Sequence, residues 1–155
     1  MLAPLSEKLT FDYAVVRIVP RVERGEFMNA GVILFCLSSK FLQAKIHLDR
    51  DRLEALWPDA DMEMIREHLE ALPKICAGDS AAGPIAALSL RERFHWLVAP
   101  RSAVIQISPV HSGLCAAPDL ALEDLFARLV ATVMLENRCK PHPPKSFATS
   151  TEELS

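Results

Sequence analysis

The segment from Ala30 to Leu37, AGVILFCL, is an almost unbroken apolar run, and it constrains the fold more than any other part of the chain. A run of this length and composition suits a central strand that is buried on both faces of a sheet. The upstream segment from Phe11 to Val19 is rich in β-branched and aromatic residues, and it ends at Pro20, which cannot donate a ladder hydrogen bond. This upstream segment is predicted to be the first strand.

Two further segments alternate between apolar and polar residues, which is typical of strands with one core face and one wet face. Residues 41–48, FLQAKIHL, follow the buried strand so closely that a hairpin is predicted. Residues 102–108, SAVIQIS, alternate in the same way. Their mostly polar face is predicted to carry Ser102, Val104, Gln106 and Ser108.

The remaining periodic segments predict helices. Residues 49–57 and 61–76 carry apolar residues at helical spacing. Ser89 and Glu92 match the capping-box pattern at the start of a short helix over residues 89–97. Residues 118–134 follow the i, i+3, i+4, i+7 rule of a long amphipathic helix, with a proline near its start.

The order of these elements, strands first, then helices, then a late strand, favours an α+β fold. We expect a mainly antiparallel sheet of about four or five strands, with helices packed on one side and the long C-terminal amphipathic helix closing the core. Half of the 155 residues are apolar, which is enough for one sizeable core. Residues 1–136 are predicted to form a single globular domain, and residues 137–155 a disordered tail.

Composition narrows the classes of function. The formal net charge of -3 gives no global basic excess that would hold the chain on nucleic acid or an anionic membrane. The four cysteines are scattered without a CxxC pair, which indicates reduced thiols in a cytoplasmic protein. The N-terminus lacks the pattern of a signal peptide, and no apolar run approaches the ~18 residues of a membrane span. No motif for a metal or a cofactor is found, so none is predicted.

The first group of candidate site residues surrounds the turn between the opening strands. It consists of Arg17, Arg21, Glu23, Glu26 and Asn29. Arginines on a loop held by two core strands offer planar forks to a phosphate or a carboxylate. A solvated hairpin connection is the alternative. Arg17 shares a strand face with apolar residues, so it is expected either to pair with Glu23 or Glu26 or to contact a ligand.

The second group lies around the late strand. It consists of Arg101, Ser102, Gln106, Ser108 and His111. His111 is predicted to follow the end of the strand in a Ser-Pro-Val-His turn, where an imidazole could serve as a general base, and it is the candidate catalytic residue. No acidic residue lies inside this segment to orient the histidine. Structural hydrogen bonding by these side chains is the alternative.

These residues leave three hypotheses of function open. The first is a non-enzymatic interaction or accessory protein that works with a protein partner or as a homodimer. The second is a hydrolase or transferase acting on a phosphate-containing substrate, which requires the first turn and the His111 turn to meet in one cleft. The third is nucleic-acid binding by a strip of arginines, although interspersed glutamates weaken such a strip. The strip would contain Arg17, Arg21, Arg24, Arg91, Arg93 and Arg101.

Two long stretches of the chain resemble a known family. They are FDYAVVRIVPRVERGEFMNAGVILFC near the start, and RFHWLVAPRSAVIQISPVHSG followed by the helix PDLALEDLFARLV. In this order they are similar to the bacterial family called domain of unknown function 3037, and the resemblance covers roughly Phe11 to Val133. It implies a small bacterial protein rather than a fragment. It implies no activity, cofactor or active-site residue.

Overall fold

The computed structural model describes residues 8–101 and 103–131, in which five strands form one antiparallel sheet. The strands are β1 (Leu9–Ile18), β2 (Met28–Cys36), β3 (Phe41–Ile46), β4 (Ile105–Ile107) and β5 (His111–Cys115). The helices are α1 (Arg50–Leu56), α2 (Met62–Ala77), α3 (Leu90–Val98) and α4 (Pro118–Leu129). The predicted α+β class with an antiparallel sheet is confirmed.

Strand β1 lies at the centre of the sheet. The strand order is β3-β2-β1-β4. Strand β5 also pairs with β1: residues 16–18 of β1 pair with β4, and residues 9–13 pair with β5. Strand β2 pairs with both β1 and β3, and all of its residues except Asn29 are buried. The apolar run is therefore a central strand, as predicted, because its backbone has partners on both sides and its side chains are covered on both faces.

Each face of the sheet carries its own core. On one face, Val16, Ile33 and Phe35 pack with apolar residues of α1, α2 and α3, and the ring of Phe35 stacks on Phe94 with centroids 4.8 Å apart. On the opposite face, Val32 and Leu34 pack with α4. Three helices thus share one side, and the C-terminal helix closes the core on the other.

The helices begin where their sequences predict. The Ser89 side chain accepts a hydrogen bond from the Glu92 amide, and the Glu92 carboxylate accepts one from the Ser89 amide, so the predicted capping box is confirmed. Asp49 and Asp61 cap α1 and α2 by accepting from backbone amides. Each such cap satisfies an amide that would otherwise lack a partner, which stabilises the helix by about 1 kcal/mol.

The chain after β4 departs from the prediction of a turn. In the register, Val16 is paired with Ile107 and Tyr13 with His111. Between these pairs, residues 14 and 15 of β1 lie opposite three residues, 108–110, of the segment that joins β4 to β5. This extra residue is a β-bulge, which includes Pro109, a residue without an amide donor. The segment crosses the bulge and continues as β5, so the expectation that His111 lies in a turn was wrong.

Several predicted features lie outside the described residues. They include the last part of the long helix, residues 132–134, the whole predicted tail, residues 137–155, and Ser102. No helix in the described ranges is long and apolar enough to cross a bilayer.

Candidate ligand-binding cleft

Three of the predicted site residues lie on neighbouring strands. In the sheet register, Arg17 of β1 is paired with Asn29 of β2 on one side and with Gln106 of β4 on the other. The guanidinium of Arg17 lies 4.2 Å from the centre of the Phe27 ring, a cation–π contact at the turn. The two groups of candidate residues therefore meet at these three positions, and Arg101 and Gln106 also lie beside Val22 of the first turn.

The ion pair considered for Arg17 does not form within the described residues. Glu26 instead pairs with Arg24, with 2.8 Å between nitrogen and oxygen, and both side chains are exposed. Arg21 and Glu23 are exposed in the short turn between β1 and β2, which is the solvated connection named as the alternative.

Two buried polar atoms near Arg17 lack a hydrogen-bond partner in the part of the chain that the structure describes. They are Nε of Arg17 and Oδ1 of Asn29, whose Nδ2 donates to the carbonyl of Leu129 at 3.0 Å. One atom is a donor, the other is an acceptor, and they belong to register partners.

Ser108 has a structural role in the sheet. It is 3% exposed, and its hydroxyl accepts a hydrogen bond from the Val15 amide at 2.8 Å while donating to the Pro109 carbonyl at 2.9 Å. The hydroxyl thus satisfies a backbone amide at the bulge between β4 and β5. Its hydrogen and one of its two acceptor lone pairs are used in these bonds, which hold the hydroxyl within the sheet.

His111 lies apart from the arginines. It pairs with Tyr13, and the two ring centres are 5.4 Å apart. Arg17 is four residues further along β1, about 13 Å away at ~3.3 Å per strand residue. Arg101 instead follows α3, where its side chain contacts Trp96. The described structure does not bring these three side chains into one cleft.

The proposed strip of arginines is interrupted by Arg93. Its guanidinium donates to the carbonyls of Ile75 at 2.9 Å, Cys76 at 2.7 Å and Leu88 at 3.1 Å. The bonds to Ile75 and Cys76 tie α3 to the C-terminal end of α2, and the bond to Leu88 ties it to the segment that precedes α3. Arg93 is therefore a structural residue.

An apolar cleft of about 350 Å³ opens between α2, α3 and β4. This volume falls at the lower end of the range of small-ligand sites, about 300 to 1,000 Å³. It is lined by Met64, Ile65, His68, Ala71, Leu72, Ile75, Trp96, Leu97, Ala99, Arg101, Ala103, Val104, Ile105 and Ile107. His68 and Arg101 supply the charged or titratable side chains of this lining, and the other residues are apolar.

The polar groups of the cleft are positioned by its own elements. The guanidinium of Arg101 stacks 3.9 Å from the centre of the Trp96 ring, and Nη2 donates to the Trp96 carbonyl at 2.7 Å. Nδ1 of His68 is 2.8 Å from the carbonyl of Met64. Since a carbonyl only accepts, Nδ1 carries a hydrogen and donates it to this carbonyl.

Sequence reasoning named Arg101 but missed the cleft around it. Most lining residues are the same apolar types that fill a core, so their pattern does not distinguish a wall from a filled interior. One signal was present. His68 occurs on the apolar side of α2, close to Ile65 and Leu72, where a titratable side chain is unusual.

The described cysteine thiols differ in pKa. At Cys36 burial raises the pKa, but hydrogen bonds with Ser38 and Ser39 outweigh this effect, so the pKa is lowered overall. Burial raises the pKa of the Cys76 thiol to about 12, so it stays protonated and unreactive at neutral pH. Burial also raises the pKa of Cys115. Within the described ranges, no three His, Cys, Asp or Glu side chains come close enough together to hold a metal ion.

Comparison with known proteins identifies the family and leaves the function open. No curated protein and no solved structure matches the chain significantly. The family model described as "Protein of unknown function (DUF3037)" matches residues 13–130, which include all of the sheet except the first residues of β1, together with all four helices. The chain therefore belongs to the DUF3037 family.

Proposed function

We propose that this chain is a non-enzymatic accessory protein that binds a small, largely apolar ligand in the cleft between α2, α3 and β4. The apolar cleft of about 350 Å³, with Arg101 among its lining residues, carries this proposal. Less supports a hydrolase or transferase, because His111 pairs with Tyr13, four residues along β1 from Arg17, and therefore lies apart from the arginines that would bind a phosphate. Nucleic-acid binding has less support because Arg93 is committed to backbone carbonyls.

The size of the cleft favours binding over a packing defect. Protein interiors contain few voids larger than a water molecule. At about 24 cal/mol per Å³, a closed apolar void of this volume would cost about 8 kcal/mol, which is comparable to the whole stability of a small domain. Burial of the apolar walls by a ligand contributes about 25 cal/mol to the free energy of binding for each Å² of wall surface removed from water. An apolar ligand therefore binds where water has few polar partners.

A matched pair of variants tests this proposal. Ala71 lines the cleft, so Ala71→Phe places a ring in it, whereas Ala127 is exposed on α4, and Ala127→Phe adds the same ring elsewhere. Decanol is titrated into each protein and binding is followed by the melting temperature. We expect decanol to stabilise the parent and Ala127→Phe but not Ala71→Phe. Equal stabilisation of both variants, or none of the parent, would refute the proposal.

A second candidate function, self-association, is favoured by the edge formed by β5. This strand pairs with β1 on one side, and residues 111–115 carry no acidic or basic side chain other than a histidine. Sheet edges that stay unpaired are usually protected by charges. The opposite edge is protected in this way, because Lys45 of β3 forms an ion pair with Glu123 at 2.5 Å.

A second copy of the chain fits this edge. A two-fold axis at Gly113 would set Ser112 opposite Leu114 and His111 opposite Cys115, so no two acidic or two fixed basic groups meet. Leu114 and Leu120 are 63% and 66% exposed beside this edge, and pairing would shield them.

Sedimentation velocity over a range of protein concentrations tests self-association. We expect a concentration-dependent dimer that Leu114→Lys abolishes. Leu37→Lys provides the control, since Leu37 is also an exposed leucine, 47% exposed, but follows β2. A monomer at all concentrations, or equal effects of both variants, would rule out pairing through β5.

A further inference from the structure

We infer that the ligand of the cleft is an amphipathic monocarboxylate, an apolar body with one carboxylate that Arg101 binds. This inference rests on the proposed function, since it assumes that the cleft takes a ligand. It goes further by assigning the charge, the position and the number of the ligand's polar groups.

The charge of the lining supports an anion. Among the residues that line the cleft, Arg101 alone carries a fixed charge, and no aspartate or glutamate is present. Within the described chain, Arg101 has no carboxylate within salt-bridge distance, whereas Arg24 and Arg128 each have one and Arg66 has two. Arg101 is exposed where it lines the cleft, so its guanidinium is accessible to the carboxylate of a ligand.

The contacts of Arg101 orient it without exhausting its donors. Nη2 donates to the Trp96 carbonyl, and the guanidinium plane rests on the Trp96 ring at 3.9 Å. A guanidinium has five N–H groups in a planar fork, so others remain for the two oxygens of a carboxylate. Because the indole already fixes the plane, little further ordering is needed when the ligand binds.

The number of positive groups favours a carboxylate over a phosphate. One guanidinium neutralises the single charge of a carboxylate, whereas it neutralises only part of the charge of a phosphate monoester, which is about -1.5 to -2 at neutral pH. His68 is not a permanently charged side chain, and its Nδ1 is occupied by the Met64 carbonyl within α2.

The inference is tested with ligands that share one tail and differ in head group. Decanoate, decanol, decylamine and decyl phosphate are titrated into the full chain carrying Trp57→Phe, in which the fluorescence of Trp96 reports on the cleft. A charge-assisted hydrogen bond is strong enough to change affinity by about tenfold to a hundredfold. We expect decanoate to bind at least tenfold more tightly than decanol, and decylamine most weakly.

Variants of two arginines assign the effect to one side chain. Arg101→Gln is expected to remove the preference for decanoate while leaving the affinity for decanol unchanged. Arg91→Gln is the control, because Arg91 is exposed on α3 and does not line the cleft. It should keep the preference.

The outcomes separate this inference from the proposed function. Equal binding of decanoate and decanol by the parent would overturn the carboxylate assignment while leaving an apolar site. Tighter binding of decyl phosphate than of decanoate would overturn the carboxylate assignment and show that the site prefers a phosphate. If the preference for decanoate survives Arg101→Gln, the carboxylate is not bound by Arg101. No binding of any of the four compounds would overturn both proposals.

Discussion

Replacing Ser108 with alanine should destabilise the protein far more than the loss of one surface hydroxyl. Ser108 is 3% exposed, and its hydroxyl accepts from the Val15 amide at 2.8 Å and donates to the Pro109 carbonyl at 2.9 Å. Ser108→Ala leaves the Val15 amide buried without this acceptor, and a buried unsatisfied polar group costs about 1 to 3 kcal/mol. We expect a loss of about 2 kcal/mol in the free energy of unfolding.

Urea denaturation measures this loss. With a slope of about 1.5 kcal/mol per M, typical of a small domain, the midpoint should fall by about 1.3 M with little change in slope. Ser112→Ala is the control, because the Ser112 hydroxyl donates to Asp12 at 2.6 Å on an exposed surface and should contribute less than about 0.5 kcal/mol. If the two variants lost equal stability, the structural role assigned to Ser108 at the bulge would be refuted.

Three further predictions concern the core and its connections. Because the pKa of Cys76 is raised from 9.0 to about 12, its thiol ionises first in the unfolded chain, so unfolding free energy should fall by about 1.4 kcal/mol per pH unit between pH 9 and 12. Alkaline urea titrations of Cys76→Ala should lack this component, and an unchanged pH slope would contradict the burial of the thiol. Arg93→Met removes hydrogen bonds to α2 carbonyls that are worth about 2 kcal/mol, so it should lower the melting temperature by several degrees. Arg91→Met should have little effect in the same thermal scan. Equal effects of the two variants would contradict the structural role of Arg93. Gly31→Ala should abolish or severely reduce folding as judged by circular dichroism, because its Cβ would lie 2.7 Å from the Lys45 carbonyl oxygen; a parent-like melting curve would contradict that close approach.

The elements predicted best are those with a strong local pattern. The apolar run became β2, the alternating residues 41–48 became β3, and Ser89 with Glu92 formed the capping box. In each case, local propensity and tertiary packing favour the same structure. The sequence also indicated that a C-terminal helix closes the core, and α4 does so on the face opposite the other helices.

Strand β5 was not predicted, because the segment forms a strand through its pairing with β1, which is distant in sequence. Pro109 and Gly113 are typical of a turn, and nothing in the segment shows that β1 has room for a further partner. The hydroxyl of Ser108 and the amide of Val15 are 93 residues apart in sequence. Such a contact depends on the register of the sheet, which an isolated segment does not reveal.

Of the predicted site residues that the structure describes, Arg101 lines the candidate cleft, and the rest of its lining was missed for a similar reason. Arg17, Asn29 and Gln106 were all named, and the sheet register brings them together. Arg101 was also named, but its neighbours Trp96 and His68 come from helices that were interpreted as core elements. A cleft is defined by space that side chains leave unfilled, and residue types alone do not show where that space occurs.

The most direct test of a ligand site in the cleft is a decanol titration followed by the backbone amide resonances of ¹⁵N-labelled protein. The proposal predicts saturable shifts that are largest in α2, α3 and residues 103–107, with α4 little affected, since α4 lies on the opposite face of the sheet. Shifts concentrated in α4 or β5, or no saturable shift at all, would contradict it.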